Sequence, residues 1–130
     1  MAVHAGWDDQ VEHVIRYDFE GRWTWDEFEQ AYHEVAPLFA SVDAEVGVIV
    51  NLLPSTALQR GILDVLKRVA DDVPPNHGVT VFVGERDVLK AFARAFERIY
   101  PTSARRYRLD YCVSLDEARA RLRSDRPGVG

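Results

Sequence analysis

The sequence predicts an α/β domain with a mainly parallel sheet of four to five strands and about four helices. Three observations predict it. Val46-Gly-Val-Ile-Val-Asn51 and Val79-Thr-Val-Phe-Val83 are apolar at nearly every position, as strands covered on both faces are. Stretches with an apolar residue at every third or fourth position alternate with these strands. Strands separated by helices cannot close as hairpins, so they run parallel through right-handed crossovers.

In chain order, residues 1–10 have no clear period and read as a tail or a short edge strand. From Val11 to Phe19, Val11, Ile15, Tyr17 and Phe19 alternate with Glu12, Arg16 and Asp18, the pattern of a half-buried strand; His13 falls on its inward side as a hydrogen-bonded structural residue. Glu20-Gly-Arg22 turns the chain. Thr24 and Glu27 then form a capping box for a helix whose stripe is Trp25, Phe28, Tyr32, Val35 and Phe39, with Pro37 shortening or kinking its last turn. Trp23, Trp25 and Phe28 read first as core and second as a stacking platform.

After the central strand, Leu58, Ile62, Leu66 and Val69 mark a helix over about 56–72, with Gly61 inside it. Val73-Pro-Pro-Asn-His-Gly78 is a connection in which His77 reads as a solvated turn residue. A helix with Val88 or Leu89, Phe92, Phe96 and Ile99 inward and Lys90, Arg94 and Arg98 outward ends before Pro101. Tyr107, Leu109, Tyr111 and Val113 mark a last strand, and Ser114 with Glu117 caps a closing helix carrying Leu115, Ala118 and Leu122. Arg126 to Gly130 is a tail.

The chain of 130 residues supports one domain, residues 1–130, with 1–10 and 125–130 as its ends. Hydrophobic residues at 47% and charged residues at 28% exclude a disordered class. No apolar run approaches the ~20 residues of a membrane-spanning helix, and the first ten residues, with Asp8, Asp9 and no basic side chain, do not resemble a secretory signal. A cytoplasmic location without membrane insertion is the expectation. A single cysteine, Cys112, excludes an internal disulfide and reads as a small buried residue. Residues 1–85 hold five Lys/Arg and fifteen Asp/Glu, residues 86–130 eleven and six. The plain reading is two solvated faces, and the sharper one a basic patch for an acidic partner or a second copy. The acidic total and the lack of a binding motif argue against nucleic acid.

No phosphate loop, dinucleotide fingerprint, nucleophile elbow or H-E-x-x-H occurs, and His4, His13, His33 and His77 match no zinc spacing. The pairs Asp8/Asp9 and Asp71/Asp72 read as solvated carboxylates. Neither a catalytic residue, a metal site nor a cofactor is expected. What remains is Asn51, Pro54, Ser55 and Thr56, where a buried strand ends at a helix entrance. Exposed N–H groups and a positive dipole end at such a place attract an anion or stabilise a phosphorylated hydroxyl, and the plainer use of Ser55 or Thr56 is an N-cap. A hydrolase or transferase would need a base beside Ser55, for which only His77 or Asp64 could serve.

From Val11 to Leu122 the pattern resembles the SpoIIAA-like family, the STAS (anti-sigma-factor antagonist) domains. Tyr17-Asp-Phe-Glu-Gly-Arg-Trp-Thr-Trp-Asp26 resembles the family's strand, glycine turn and helix start. Val46 to Ser55 resembles its buried strand and switch loop, Gly78 to Gly84 its next strand, and Val113 to Ala118 its closing helix. The resemblance implies a βα superhelix with strands adjacent in chain order and a non-enzymatic, protein-binding role. In regulated members a serine at this helix start is phosphorylated, and Ser55, or Thr56, matches it by position. Asn51 stands where those members carry an Asp, and Leu52-Leu-Pro54 replaces their Asp-Ser-type turn. The expected function is therefore a protein-interaction or regulatory module, phospho-switched at that helix start, with a homodimer as the commonest default. The alternative is a small-molecule or lipid-binding domain with Trp23, Trp25 and Tyr32 lining an apolar pocket.

Overall fold

The computed structural model describes residues 2–55, 74–99 and 109–124. The helix expected over 56–72, the side chains of Phe96 and Ile99, Tyr107 of the last strand, Thr56, Asp64, Asp71/Asp72 and the 125–130 end lie outside the described residues. Within them the elements are β1 (Val3–Trp7), β2 (Val14–Phe19), α1 (Trp25–Ala40), β3 (Val46–Asn51), β4 (His77–Val83), α2 (Arg86–Ile99), β5 (Leu109–Cys112) and α3 (Leu115–Ser124).

The five strands form one mixed, mostly parallel sheet in the order β1-β2-β3-β4-β5. β1 is antiparallel to β2, and β2 to β5 are parallel. Of the two readings of the first ten residues, the structure shows the short edge strand, so the domain starts with a hairpin. It corrects the start of the second strand, which begins at Val14 because His13 takes a left-handed backbone (φ 58°) that breaks the alternation running back to Val11.

Local chemistry accounts for the helix entries. Gly21 at φ 55° lets the chain leave β2. The Glu27 N–H then donates to Thr24 Oγ1 (3.2 Å) while the Glu27 carboxylate accepts from Thr24 N–H (3.1 Å), closing the capping box of α1. Pro37 lies on the exposed side of α1, and the helix continues past it to Ala40.

Two cores form on opposite faces of the sheet. One contains Ile15, Tyr17, Phe19, Trp23, Val35, Phe39, Val46, Val48, Phe82, Leu89 and Phe92, from β2, β3, β4, α1 and α2. The other contains Val11, Val14, Ile49, Val81, Val83, Cys112, Ala118 and Leu122, under α3. On this second face α3 comes down close on β3, where a Cβ at Gly47 would lie 2.8 Å from Leu122 Cδ2. His77 opens β4, with its ring stacked on Phe39 (5.9 Å between centroids) and Nε2 2.9 Å from Thr80 Oγ1. It is part of the fold's frame, in place of the solvated turn residue expected.

Candidate functional site

The turn that follows β3 lies at the carboxyl ends of the parallel strands, where open α/β sheets hold their ligands. Asn51 closes β3 and is buried. Its register partner on β2 is Asp18, and Asn51 Nδ2 donates to Asp18 Oδ1 at 2.9 Å. Its Oδ1 accepts from the Leu53 N–H at 3.2 Å, a short-range side-chain bond that sets the chain turning. Leu52 is buried, and its N–H donates to Val83 O (2.7 Å). The Ser55 N–H closes the turn on Leu52 O (3.1 Å).

A second set of contacts ties the far side of the turn to the β2–α1 connection. The Gly21 N–H donates to Pro54 O (2.9 Å), and Gly21 and Ser55 form a parallel bridge. The Trp23 indole N–H donates to Ser55 Oγ at 2.9 Å. Trp23 is only 1% exposed, so this bond supplies the partner that a buried indole nitrogen requires. The Ser55 hydroxyl is half-buried and already engaged, while Leu53, 45% exposed, and Pro54 face solvent. Val113, 52% exposed just past the end of β5, stands on the same rim.

The structure thus brings Asn51, Pro54 and Ser55 together; Thr56 lies outside the described residues. It does not bring His77 to Ser55. His77 opens β4 and Ser55 follows the end of the parallel β3, so about 20 Å of strand separates the two rims. The aromatic side chains proposed for a pocket are taken up by ring contacts: Trp23 lies edge-on to Trp25 (4.7 Å) and to Phe19 (4.8 Å), and Tyr32 lies against Phe28 (6.0 Å), which stacks on Phe19 (5.7 Å).

Sequence reasoning missed Trp23, Gly21 and Asp18 as the residues that hold the turn. A tryptophan two residues after a glycine turn, with a polar nitrogen to satisfy, was the available signal. It also missed the charge network beneath. The Asp8 side chain is fully buried, which corrects its reading as a solvated partner of Asp9. Arg119 grips it with two bonds (Nε to Oδ2 3.2 Å, NH2 to Oδ1 3.0 Å), Arg16 NH1 donates at 3.0 Å, and the Val11 N–H donates at 3.0 Å. Burial pushes the Asp8 carboxyl up, and these hydrogen bonds outweigh it, so the group stays below the ordinary carboxylate range. Arg16 Nε continues the network to Asp18 Oδ2 (3.1 Å), and so to Asn51.

Cys112 is buried, and burial raises its thiol, which disfavours the thiolate. Among the described residues no group of three or more His, Cys, Asp or Glu is placed to hold a metal ion, and no helix is long and apolar enough to cross a membrane. No protein-family model matches the chain, and neither does any curated protein or solved structure.

Proposed function

We propose that the chain is a non-catalytic, regulatory interaction module of the STAS-like kind, which takes hold of a protein partner with the turn after β3. The observation that supports this best is an apolar tip on a fixed base. Leu53 and Pro54 face solvent, while Asn51, Leu52 and Ser55 on either side are pinned by the bonds from Asn51, Val83, Gly21 and Trp23. A side chain displayed on a preorganised turn gives contact area at little ordering cost. Val113 on the same rim extends the apolar surface.

The regulatory part of the proposal is a phospho-switch at Ser55, with Thr56 the other acceptor by position. A phosphoryl group would place about −1.5 to −2 charges on the oxygen that now receives the Trp23 N–H. The altered turn would then present Leu53 and Pro54 differently. Serine modification thereby becomes a change in the surface the partner reads.

A photo-crosslinking residue at position 53 tests the contact. The expected result is one dominant cross-linked protein; in pull-downs without the cross-linker, capture of that protein should be lost in Leu53→Lys and weakened about tenfold or more in Ser55→Asp. If both variants recover every species that the wild type recovers, the turn is not the contact surface.

A further inference from the structure

A line of hydrogen bonds runs along β2 and across to β3, and ends at the displayed Leu53. Val14 belongs to the core under α3, so Arg16 and Asp18, which share its parity on β2, lie on that face of the sheet. Arg16 spans two carboxylates. Its NH1 donates to Asp8 Oδ1 (3.0 Å), just past the end of β1, and its Nε donates to Asp18 Oδ2 (3.1 Å). Asp18 Oδ1 accepts from Asn51 Nδ2 (2.9 Å), and Asn51 Oδ1 accepts from the Leu53 N–H (3.2 Å).

Each link dictates the next. A guanidinium only donates and a carboxylate only accepts, whereas a carboxamide has one arm of each kind. Asp18 thus meets a donor at both oxygens, Arg16 at one and Asn51 at the other, and Asn51 has to turn its nitrogen toward β2. That orientation alone leaves its oxygen for the Leu53 N–H. With the amide reversed, two oxygens would oppose each other where the 2.9 Å bond now stands, and two donors would meet at Leu53. Asn51 is only 6% exposed, so water is a poor substitute for either bond. An aspartate at position 51 would set a second carboxylate against Asp18, which is a physical reason for the asparagine. Arg16 is fastened at its other end as well, because the fully buried Asp8 is itself gripped by Arg119 of α3.

We propose that Asp18 is the positioning residue of the turn after β3, and that Arg16 keeps it in that role by occupying its second oxygen. This rests on reading the turn as the contact surface, and adds what gives that surface its form. Asp18 lies 33 residues before Asn51 in the chain and on a different strand. The way Leu53 is presented is therefore set by the polarity of a pair on β2 and β3, through the orientation of one buried amide.

Amide exchange at Leu53, measured on the full chain without a partner, tests the proposal. In Asp18→Asn the new amide has one acceptor for two donors. Arg16, the charged donor, should take it; the Asn51 amide should then reverse, and protection of the Leu53 N–H should fall about tenfold. Asn51→Asp should lower it likewise by bringing two carboxylates together. The exchanged pair, Asp18→Asn with Asn51→Asp, restores the order of donors and acceptors: the amide at 18 gives its oxygen to Arg16 and its nitrogen to the carboxylate at 51, whose other oxygen is left for Leu53. Protection should return close to the wild-type value. Arg16→Met added to Asp18→Asn should also raise it, since the oxygen at 18 is then free for Asn51. The amides of Val48 and Val50 in β3 should keep their protection in every variant; a merely stabilising pair would lower them together with Leu53. Pull-down of the protein cross-linked at position 53 is scored separately. If Leu53 exchange follows the pair and the pull-down does not, the contact-surface reading falls and the positioning role stands. Single variants that leave Leu53 exchange unchanged overturn the proposal, and so does an exchanged pair that stays as unprotected as the single variants.

Discussion

The two faces of the sheet are closed by different means. The face under α1 and α2 is filled with rings, Phe19, Trp23, Phe39, Phe82 and Phe92 among them, whose polar atoms are few, chiefly the Trp23 nitrogen and the Tyr17 hydroxyl. Among the described residues, the buried core of the face under α3 has no aromatic side chain. There the loop before β2 is joined to α3 by a charge pair, Asp8 and Arg119, which are 111 residues apart in sequence. Apolar burial tolerates many arrangements of similar volume. A buried carboxylate held by two guanidinium groups and a backbone N–H has one. The face under α3 is therefore the one whose geometry is most specified and the one most easily ruined by a single change.

The largest expected effect follows directly. Asp8→Ala leaves Arg119, itself buried, facing a void and removes the acceptor for the Val11 N–H. Loss of one member of a buried pair costs about 3–5 kcal/mol, which denaturant unfolding would register as a large drop in midpoint. Asp8→Ala combined with Arg119→Met should recover part of this, because no charge is then stranded. A residue of about 1–3 kcal/mol should persist from the unsatisfied Val11 N–H. Equal losses in the single and double variants would show that the two faces do not differ in the way described.

Acid should find the same weak point. The folded Asp8 carboxyl titrates below its ordinary value of 3.8, so its contribution is complete above that pH and is lost as the pH falls through the lower, folded value. Unfolding followed between pH 5 and pH 2 should show a loss of stability beginning near pH 4. Asp8→Ala should flatten that part of the curve. An unchanged slope would mean that another carboxylate sets the acid limit.

The turn after β3 comes next. Ser55→Ala removes the acceptor of a buried indole N–H, which costs about 1–3 kcal/mol. The Trp23 fluorescence maximum should shift if the ring moves toward water to satisfy its nitrogen. Ser55→Ala with Trp23→Phe should be less than additive, since the bond is then lost only once.

Much of the frame was readable because it is local. The central strands Val46–Asn51 and Val79–Val83 carry their burial in composition, and Thr24 and Ser114 announce their helices within four residues. The features that escaped depend on partners distant in the chain. Val3–Trp7 has no strand signature of its own and becomes a strand by pairing with β2. Asp8 and Asp9 are alike as letters, and both meet Arg119 from the other end of the molecule, yet only Asp8 is buried and hydrogen-bonded by it; Asp9, 3.6 Å from the same guanidinium, stays 75% exposed. The parity of Arg16 and Asp18 marked them as opposite to the aromatic core. Only the parallel register that sets Asp18 beside Asn51 turned that into support for the turn.

The smallest effects belong to the two caps, and they sharpen the contrast between the faces. At α1 both legs of the capping box are formed, and Glu27 also holds the Ala2 N–H, so the cap fastens the helix and the edge strand together. At α3 the Glu117 N–H donates to Ser114 Oγ (3.2 Å), but the Glu117 carboxylate reaches back to the Val113 N–H (3.4 Å) and the box stays open. Thr24→Ala should cost about 1 kcal/mol and Ser114→Ala about 0.5 kcal/mol, the typical value and the lower end of the usual range for a lost cap. Amide exchange should separate them further: Thr24→Ala should loosen Ala2 and Val3 as well as the first turn of α1, whereas Ser114→Ala should affect only the first turn of α3. If the order is reversed, α3 relies on its own cap more than on the Asp8–Arg119 clasp, and that face is held locally.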